Sequence, residues 1–247
     1  MVRELKRALC SRGLGEFSFR ASQFGGYTFR CANRTEYYRT MDFGGEADAL
    51  GAFLFLLRPD DHVWDIGASV GLFTVHAAGA VRRVVAFEPD PATFTRLRQN
   101  VEVNGLTDRV DCRMAALGDR NGQVALCTDG LDGNAPSVAD LGRHAGVTAA
   151  FMTTIDHLVD SNLAPPTVLK IDAEGAEVLV LRGAIQLLAS PRAPRLIFLE
   201  VHPKFLPSFG ATAEAVEALV SQHGYDVAVR RLRGEQIHLL LTRRAGR

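Results

Sequence analysis

Asp65, Gly67, Gly71 and Glu88 are the first residues of this 247-residue chain whose types and spacing point to chemistry. His62 to Ile66 reads as a short apolar strand carrying one carboxylate, Gly67 to Gly71 as a glycine turn, and Leu72 to Ala78 as the helix that follows. That strand-turn-helix opens a nucleotide-binding α/β unit. Glu88 closes the next apolar run, Arg83 to Phe87, where such units present an acidic group to ribose hydroxyls. Each carboxylate has a plainer reading, Asp65 as a helix N-cap and Glu88 as a solvated strand-end charge. Their succession on consecutive strand ends favours a cofactor.

The turn separates two cofactor classes. A dinucleotide pyrophosphate needs close backbone approach at a helix N-terminus, hence Gly-x-Gly-x-x-Gly. Gly67-Ala68-Ser69-Val70-Gly71 has no middle glycine, and Asp65 before it suits an ammonium and a sulfonium better than a pyrophosphate. S-adenosyl-L-methionine is therefore the expected cofactor. The alternatives are an NAD(P)-dependent oxidoreductase and a module that binds a cofactor or partner without catalysis.

Ligands in this architecture sit at strand carboxyl ends, which nominates Asp172 and Glu174 after the run Thr167 to Asp172, and His202 after Leu196 to Val201. Methyl transfer needs in-line alignment, exclusion of water and, where the acceptor carries a proton, a group that takes it. Histidine, with an ordinary pKa of roughly 6.5, can accept one at neutral pH; the alternative for His202 is a strand-end ring satisfied by backbone. Period-two alternation puts Lys170 and Asp172 on one face of their strand and Leu169 and Ile171 on the other. A lysine there needs a partner, and Glu200 on the following strand is the expected one. No metal is assigned, because His62, His76, His144, His157, His223 and His238 show no ligand spacing. On the acceptor side, Tyr27, Tyr37, Tyr38, Asn134 and Ser137 are the candidates, and Glu46 is placed to close over the cofactor.

These residues need a frame to hold them. Residues 1–45 lack a βαβ rhythm and read as an N-terminal cap, beginning with a short amphipathic helix and including a strand near Tyr27 to Cys31. Residues 46–247 read as the cofactor-binding domain. Glu46 to Leu57 carries one apolar helical stripe; strands follow at 62–66, 83–87, 110–114, 167–172 and 196–201, with helices between them, one of them spanning Glu177 to Ala189. Near 123–154 the rhythm breaks, and two strands around a Gly, Asp, Asn and Pro-rich loop form an inserted, substrate-side segment. The expected fold is α/β: a mostly parallel sheet with helices on both faces and a C-terminal hairpin, Tyr225 to Thr242, adding an antiparallel edge strand.

Bulk composition narrows the partners. Lys plus Arg equals Asp plus Glu at 28 each, with no basic run interleaved with aromatics, so neither nucleic acid nor an acidic membrane surface is expected. Four scattered cysteines without a CxxC pair fit free thiols and a cytoplasmic location. No signal peptide and no transmembrane window is read.

Six segments then carry a resemblance. Asp65-Ile66-Gly67-Ala68-Ser69-Val70-Gly71, Ala86-Phe87-Glu88-Pro89, Ala116-Leu117-Gly118-Asp119, Thr154-Ile155-Asp156-His157-Leu158, Leu169-Lys170-Ile171-Asp172-Ala173-Glu174-Gly175-Ala176-Glu177 and Leu199-Glu200-Val201-His202 occur in the order of the FkbM-type S-adenosylmethionine-dependent methyltransferases, across residues 46–202. Ser69 stands where that family commonly has Asn. The resemblance implies a Rossmann-like class I methyltransferase, acting on the hydroxyl of a sugar or natural product. It also implies that Asp65, Gly67, Ala68 and Gly71 line the methionine part of the cofactor and Glu88 the ribose. The adenine would lie near Pro89 and Met114, Ala115 and Ala116.

Overall fold

The computed structural model describes residues 2–128, 137–138 and 146–244. Asn134 and His144, in the loop of the inserted segment, fall outside them.

The central sheet grows from β3 (His62–Ile66), β4 (Arg83–Phe87), β5 (Val110–Arg113), β9 (Val168–Asp172), β10 (Leu196–Val201), β11 (Tyr225–Arg233) and β12 (Gln236–Arg243). Their order across the sheet is β11-β12-β10-β9-β3-β4-β5. The pairs from β10 to β5 are parallel, and β12 is antiparallel to both β10 and β11. The expected hairpin is present, but its antiparallel strand is not at the edge. The Gly234 turn returns β12 into the sheet, where Ile237, Leu239 and Leu241 are buried, while most of β11 is exposed.

Alternation along the strands builds two cores. Trp64, Ile66, Leu169, Ile171, Ile197 and Leu199 face one side, against α7 (Glu177–Arg182), α8 (Ile185–Ala189) and α9 (Ala213–Gln222). Val63, Val84, Ala86 and Val168 face the other, against α3 (Ala47–Leu56), α4 (Leu72–Ala80) and α5 (Pro91–Val103). Lys170 and Asp172 belong to the second face. The helix expected from Glu177 to Ala189 is split at Gly183 and Ala184. A Cβ on Gly183 would lie 1.9 Å from the Gly118 carbonyl oxygen, and the Gly183 carbonyl accepts from the Asp156 amide in α6 (Ile155–Asp160). The neighbouring helix thus takes over a bond that a continuous helix would have made for itself.

The N-terminal segment holds more structure than its sequence suggests. After α1 (Val2–Cys10) come a hairpin of β1 (Phe17–Arg20) and β2 (Thr28–Cys31), and α2 (Arg34–Met41), capped by Asn33. It is tied to α5 by polar contacts: Arg96 bridges Glu36 at 2.8 Å and Glu16 at 2.6 Å, Asn100 accepts from the Arg30 amide, and Asn104 bonds both backbone groups of Thr28. The inserted segment forms a separate three-stranded sheet, β6 (Ala116–Leu117), β8 (Gly146–Thr153) and β7 (Gly122–Thr128). Among the described residues no helix is long and apolar enough to cross a membrane, and Cys10, Cys31, Cys112 and Cys127 are all free thiols.

Candidate active site

The chain leaves β3 in one direction across the sheet to β4 and β5, then returns to β9 and β10 on the other side. The crevice at that reversal lies over the carboxyl ends of β3, β4 and β9, the position this topology reserves for ligands. Gly67 and Ala68 both give their amides to the Phe87 carbonyl, which locks the turn to β4. Gly67 has φ of 76°, and a Cβ there would lie 1.8 Å from the Asp172 carbonyl oxygen. Only glycine lets β3 and β9 close this tightly. Ser69 also has positive φ, 52°, a conformation that Asn tolerates better than Ser. Its amide donates to Glu88 at 2.9 Å and its hydroxyl accepts from Arg39 at 3.2 Å.

Glu88 is buried, held by the Ser69 and Asp90 amides. Burial dominates those bonds and lifts its carboxyl to about 7. Asp65 is not a helix cap; Gly71 holds that position for α4. Its carboxylate, 1% exposed, accepts from the Thr74 hydroxyl at 2.6 Å and pairs with Lys170 at 3.3 Å.

Lys170 does not take Glu200 as its ion-pair partner. In register, Lys170 stands opposite Phe198, and Glu200 opposite Asp172. The ammonium therefore lies between Asp65 and Asp172 (3.5 Å), donates to the Gly67 carbonyl at 3.2 Å and sits 5.1 Å from the Phe73 ring centre. Glu200 turns to His238 at 3.3 Å. Burial and the Glu200 charge raise the Asp172 carboxyl well above the ordinary range, while Lys170 and His202 oppose them.

His202 is enclosed rather than facing the crevice. Its Nδ1 is 2.7 Å from Glu177 Oε1, and its Nε2 lies 3.6 to 3.9 Å from carboxylate oxygens of Glu200, Asp172 and Glu174. Burial alone would lower the ring's pKa, but the Glu177 bond and the charges of Asp172, Glu177 and Glu174 raise it to about 10. An imidazole so held is already charged at neutral pH, so the expectation of a neutral base at His202 does not survive its surroundings.

One cleft of about 1090 Å³, counting its solvent-open part, is lined by Glu46, Gly67, Ala68, Ser69, Glu88, Pro89, Ala115, Ala116, Asp172 and Glu174 together. Asp65 and Gly71 stand behind this wall. Met114 is 53% exposed and does not line the cleft, because the chain bends from β5 into β6 and turns it to solvent. Tyr27 stacks edge-on against His76, Tyr37 against Phe19, and Tyr38 is half exposed; none of the three lines the cleft. Ser137 lies near it, its hydroxyl donating to the Glu174 carbonyl at 3.4 Å. Asn134 is outside the described residues.

Sequence reading misses Arg39 and Phe43, which line the cleft from the N-terminal segment, and Arg233, which holds Glu46 at 2.8 Å. It also misses Glu177, although Asp172, Glu174 and Glu177 share one short motif. Histidine spacing gives no sign of a further cluster. Donor atoms of Asp172, Glu200 and His202 lie within 4.8 Å of one another, brought together from two strands that are distant in sequence.

A family model for the methyltransferase FkbM domain matches residues 65–227. The chain belongs to the FkbM methyltransferase family. It is 33% identical over 190 residues to the hexuronic acid methyltransferase AglP of Haloferax volcanii, covering 73% of each protein. It is 30% identical over 223 residues to the 31-O-demethyl-FK506 methyltransferase FkbM of Streptomyces tacrolimicus, covering 76% of this chain and 82% of that one. Among solved structures, TrmK of M. capricolum in complex with S-adenosyl-homocysteine superposes with a TM-score of 0.50 at 9% identity, covering 80% of this chain and 68% of that one. That likeness is one of fold. This FkbM domain is a methyltransferase, and the crevice between β3, β4 and β9 is its candidate active site.

Proposed function

We propose that this FkbM domain transfers the methyl group of S-adenosyl-L-methionine to a hydroxyl of a sugar or secondary metabolite. The observation that carries the reading is the pairing, at the sheet's reversal, of a buried Glu88 carboxylate with the Gly67 to Gly71 turn. The residues present suit that cofactor. Glu88 would accept from the ribose hydroxyls, the Gly67 carbonyl and Asp172 would hold the amino-acid end, and Arg39, over Ser69, would offer the cofactor's carboxylate a cation. Asp65 contributes indirectly, by holding Lys170. The bound cofactor supplies a methyl carbon on a sulfonium, which is electrophilic. Among the candidate catalytic groups Asp172 and Glu174 line the cleft and His202 does not, so Asp172 would take the proton that the acceptor hydroxyl loses on methylation. Glu174 orients the acceptor hydroxyl. AglP and FkbM, by their names, act on a hexuronic acid and on a demethylated FK506, which supports a small hydroxylated acceptor.

Calorimetry tests the donor: S-adenosylhomocysteine binds and NAD does not. Tight NAD binding without S-adenosylhomocysteine would instead favour the oxidoreductase. Labelled S-adenosylmethionine with a small-molecule extract tests the enzyme, and Asp172→Asn is expected to slow labelling about 10² to 10⁴-fold. Cofactor binding with no label transferred to any hydroxylated acceptor supports the non-catalytic module.

Glu88 predicts a pH dependence. Its carboxyl titrates at about 7 in the free protein, and the ionised form is the one that accepts two ribose donors. Affinity for S-adenosylhomocysteine should therefore fall about tenfold per pH unit below 7 and level off above it. The sign for folding is opposite. A carboxyl raised by folding favours the folded state below its unfolded pKa, and that contribution is lost as pH rises through about 7. Glu88→Gln should bind weakly at every pH, without the step.

A further inference from the structure

We propose that Asp172, Glu200 and His202 bind one divalent metal ion, of the class that prefers carboxylate oxygen with imidazole nitrogen, such as Mn²⁺ or Mg²⁺. Asp172 and Glu200 are opposite each other in register on β9 and β10, and alternation puts His202, two residues beyond Glu200, on the same side. One donor atom of each lies within 4.8 Å of the other two. His202 Nε2 is 3.6 Å from Glu200 Oε1, 3.8 Å from Asp172 Oδ1 and 3.9 Å from Glu174 Oε2. These separations are too long for hydrogen bonds. Ligands about 2.1 Å from a shared ion stand roughly 3.0 to 3.4 Å apart, so small side-chain rotations would close the set.

The histidine supplies an independent indication. Its side chain is 2% exposed, its Nδ1 is anchored by Glu177, and its Nε2 is aimed into the cluster. The neighbour within hydrogen-bond range of Nε2 is the Gln236 amide nitrogen at 3.1 Å, itself a donor. A bound cation would take the place of the Nε2 proton of this charged ring, leaving the Nδ1 proton donated to Glu177 and turning the Nε2 lone pair to the ion among the same three carboxylate oxygens. A buried carboxylate fixing one ring nitrogen so that the other can ligate is the arrangement seen behind metal-bound histidines.

The outer oxygens are tied back to other side chains: Asp172 Oδ2 to Lys170 at 3.5 Å and Glu200 Oε2 to His238 at 3.3 Å. Arg233 approaches Glu200 Oε1 only to 3.8 Å and gives its hydrogen bonds to Glu46, Gln236 and the Gly44 carbonyl. The inner oxygens are left pointing at the histidine. Carboxylates suit Mg²⁺ and Mn²⁺, and a single imidazole is compatible with Mn²⁺. Asp172 and Glu200 also line the cleft, so the ion would face the acceptor's oxygen and hold it; that role, unlike the binding itself, rests on the methyl-transfer reading.

The test uses the full chain, dialysed against chelator and titrated with MnCl₂ by calorimetry and by electron paramagnetic resonance. One ion per chain is expected, with a nitrogen coupling from one imidazole. Glu200→Gln and His202→Gln should each weaken binding at least about tenfold, and His202→Gln should remove the coupling. Asp226→Asn, an exposed partner of Arg244, should change nothing. Thermal melts establish which variants fold, and the nitrogen coupling of the unsubstituted chain stands if none does. No saturable uptake of one equivalent, no imidazole coupling, or equal affinity in folded Glu200→Gln and His202→Gln would overturn the site. S-adenosylhomocysteine binding on the same samples keeps the two proposals apart. Its presence without Mn²⁺ uptake removes only the metal site; Mn²⁺ uptake without it removes only the donor assignment.

Discussion

A Gly67→Ala variant is expected to lose more than about 4 kcal/mol of stability, and any folded fraction should fail to bind S-adenosylhomocysteine. Two costs combine at this residue. Its φ of 76° disfavours any Cβ, and the added atom would lie 1.8 Å from the Asp172 carbonyl oxygen. That oxygen belongs to the backbone at the end of β9, so relief requires β3 and β9 to part at the crevice. Two other glycines separate these terms. Gly210 has φ of 65° with nothing within 4 Å of where a Cβ would stand, so Gly210→Ala should cost only the backbone penalty, about 1–2 kcal/mol. Gly71→Ala should fall between them, since the 2.8 Å contact is with the end of the Leu97 side chain, which can move. Chemical denaturation of all three checks the order; a Gly67→Ala protein as stable as Gly210→Ala would show that the strand ends separate without cost.

Lys170→Met should destabilise the protein by about 3–5 kcal/mol, a melting shift on the order of 10 °C. The ammonium is the counter-charge of Asp65, which is 1% exposed and, among the described residues, otherwise bonded by Thr74. Removing it leaves the buried Asp65 without its counter-charge and takes from Asp172 one of the two cations beside it. Burial opposes the charge on Lys170, but Asp65, Asp172, Glu46 and Glu200 outweigh burial and raise its pKa. Because folding raises that pKa, the stabilisation is complete at neutral pH and is lost only as strongly alkaline pH deprotonates the amine. Adding Asp65→Asn should recover part of the loss, and that recovery measures the coupling. A melt unchanged by Lys170→Met would mean that the pair contributes nothing net to folding.

Much of this arrangement is legible from local pattern. Period-two alternation places Lys170 and Asp172 on one face and Leu169 and Ile171 on the other, as the two cores show. The glycine turn and the strand ending at Glu88 locate the crevice, because both signals sit within a few residues. What escapes the sequence is non-local. Neighbouring strands suggest Glu200 as the partner of Lys170, but register decides which side chains stand opposite, and the sequence does not state register. The ordinary pKa of histidine suggests a neutral base at His202; the four carboxylates that surround it come from β9, β10, α7 and the turn between β9 and α7. Counting along β5 puts Met114 in the cleft, yet that strand ends one residue earlier. Arg39 and Phe43 come from a segment whose hairpin and helix have no repeating α/β rhythm to reveal them.

The place of β12 inside the sheet bears on how this protein comes into being. Synthesis proceeds at about 5–20 residues per second, and β10 emerges well before the strand that pairs with its outer side. For that interval β10 presents an open edge, the feature by which nascent sheets find wrong partners. Gln236 and His238, which meet His202 and Glu200, arrive on the same late strand. The first half of the crevice, Gly67 to Glu88, can therefore form early, while the side around Glu200 and His202 is finished by β12. An unfinished chain would carry the glycine turn and Glu88 without the strand that completes the crevice.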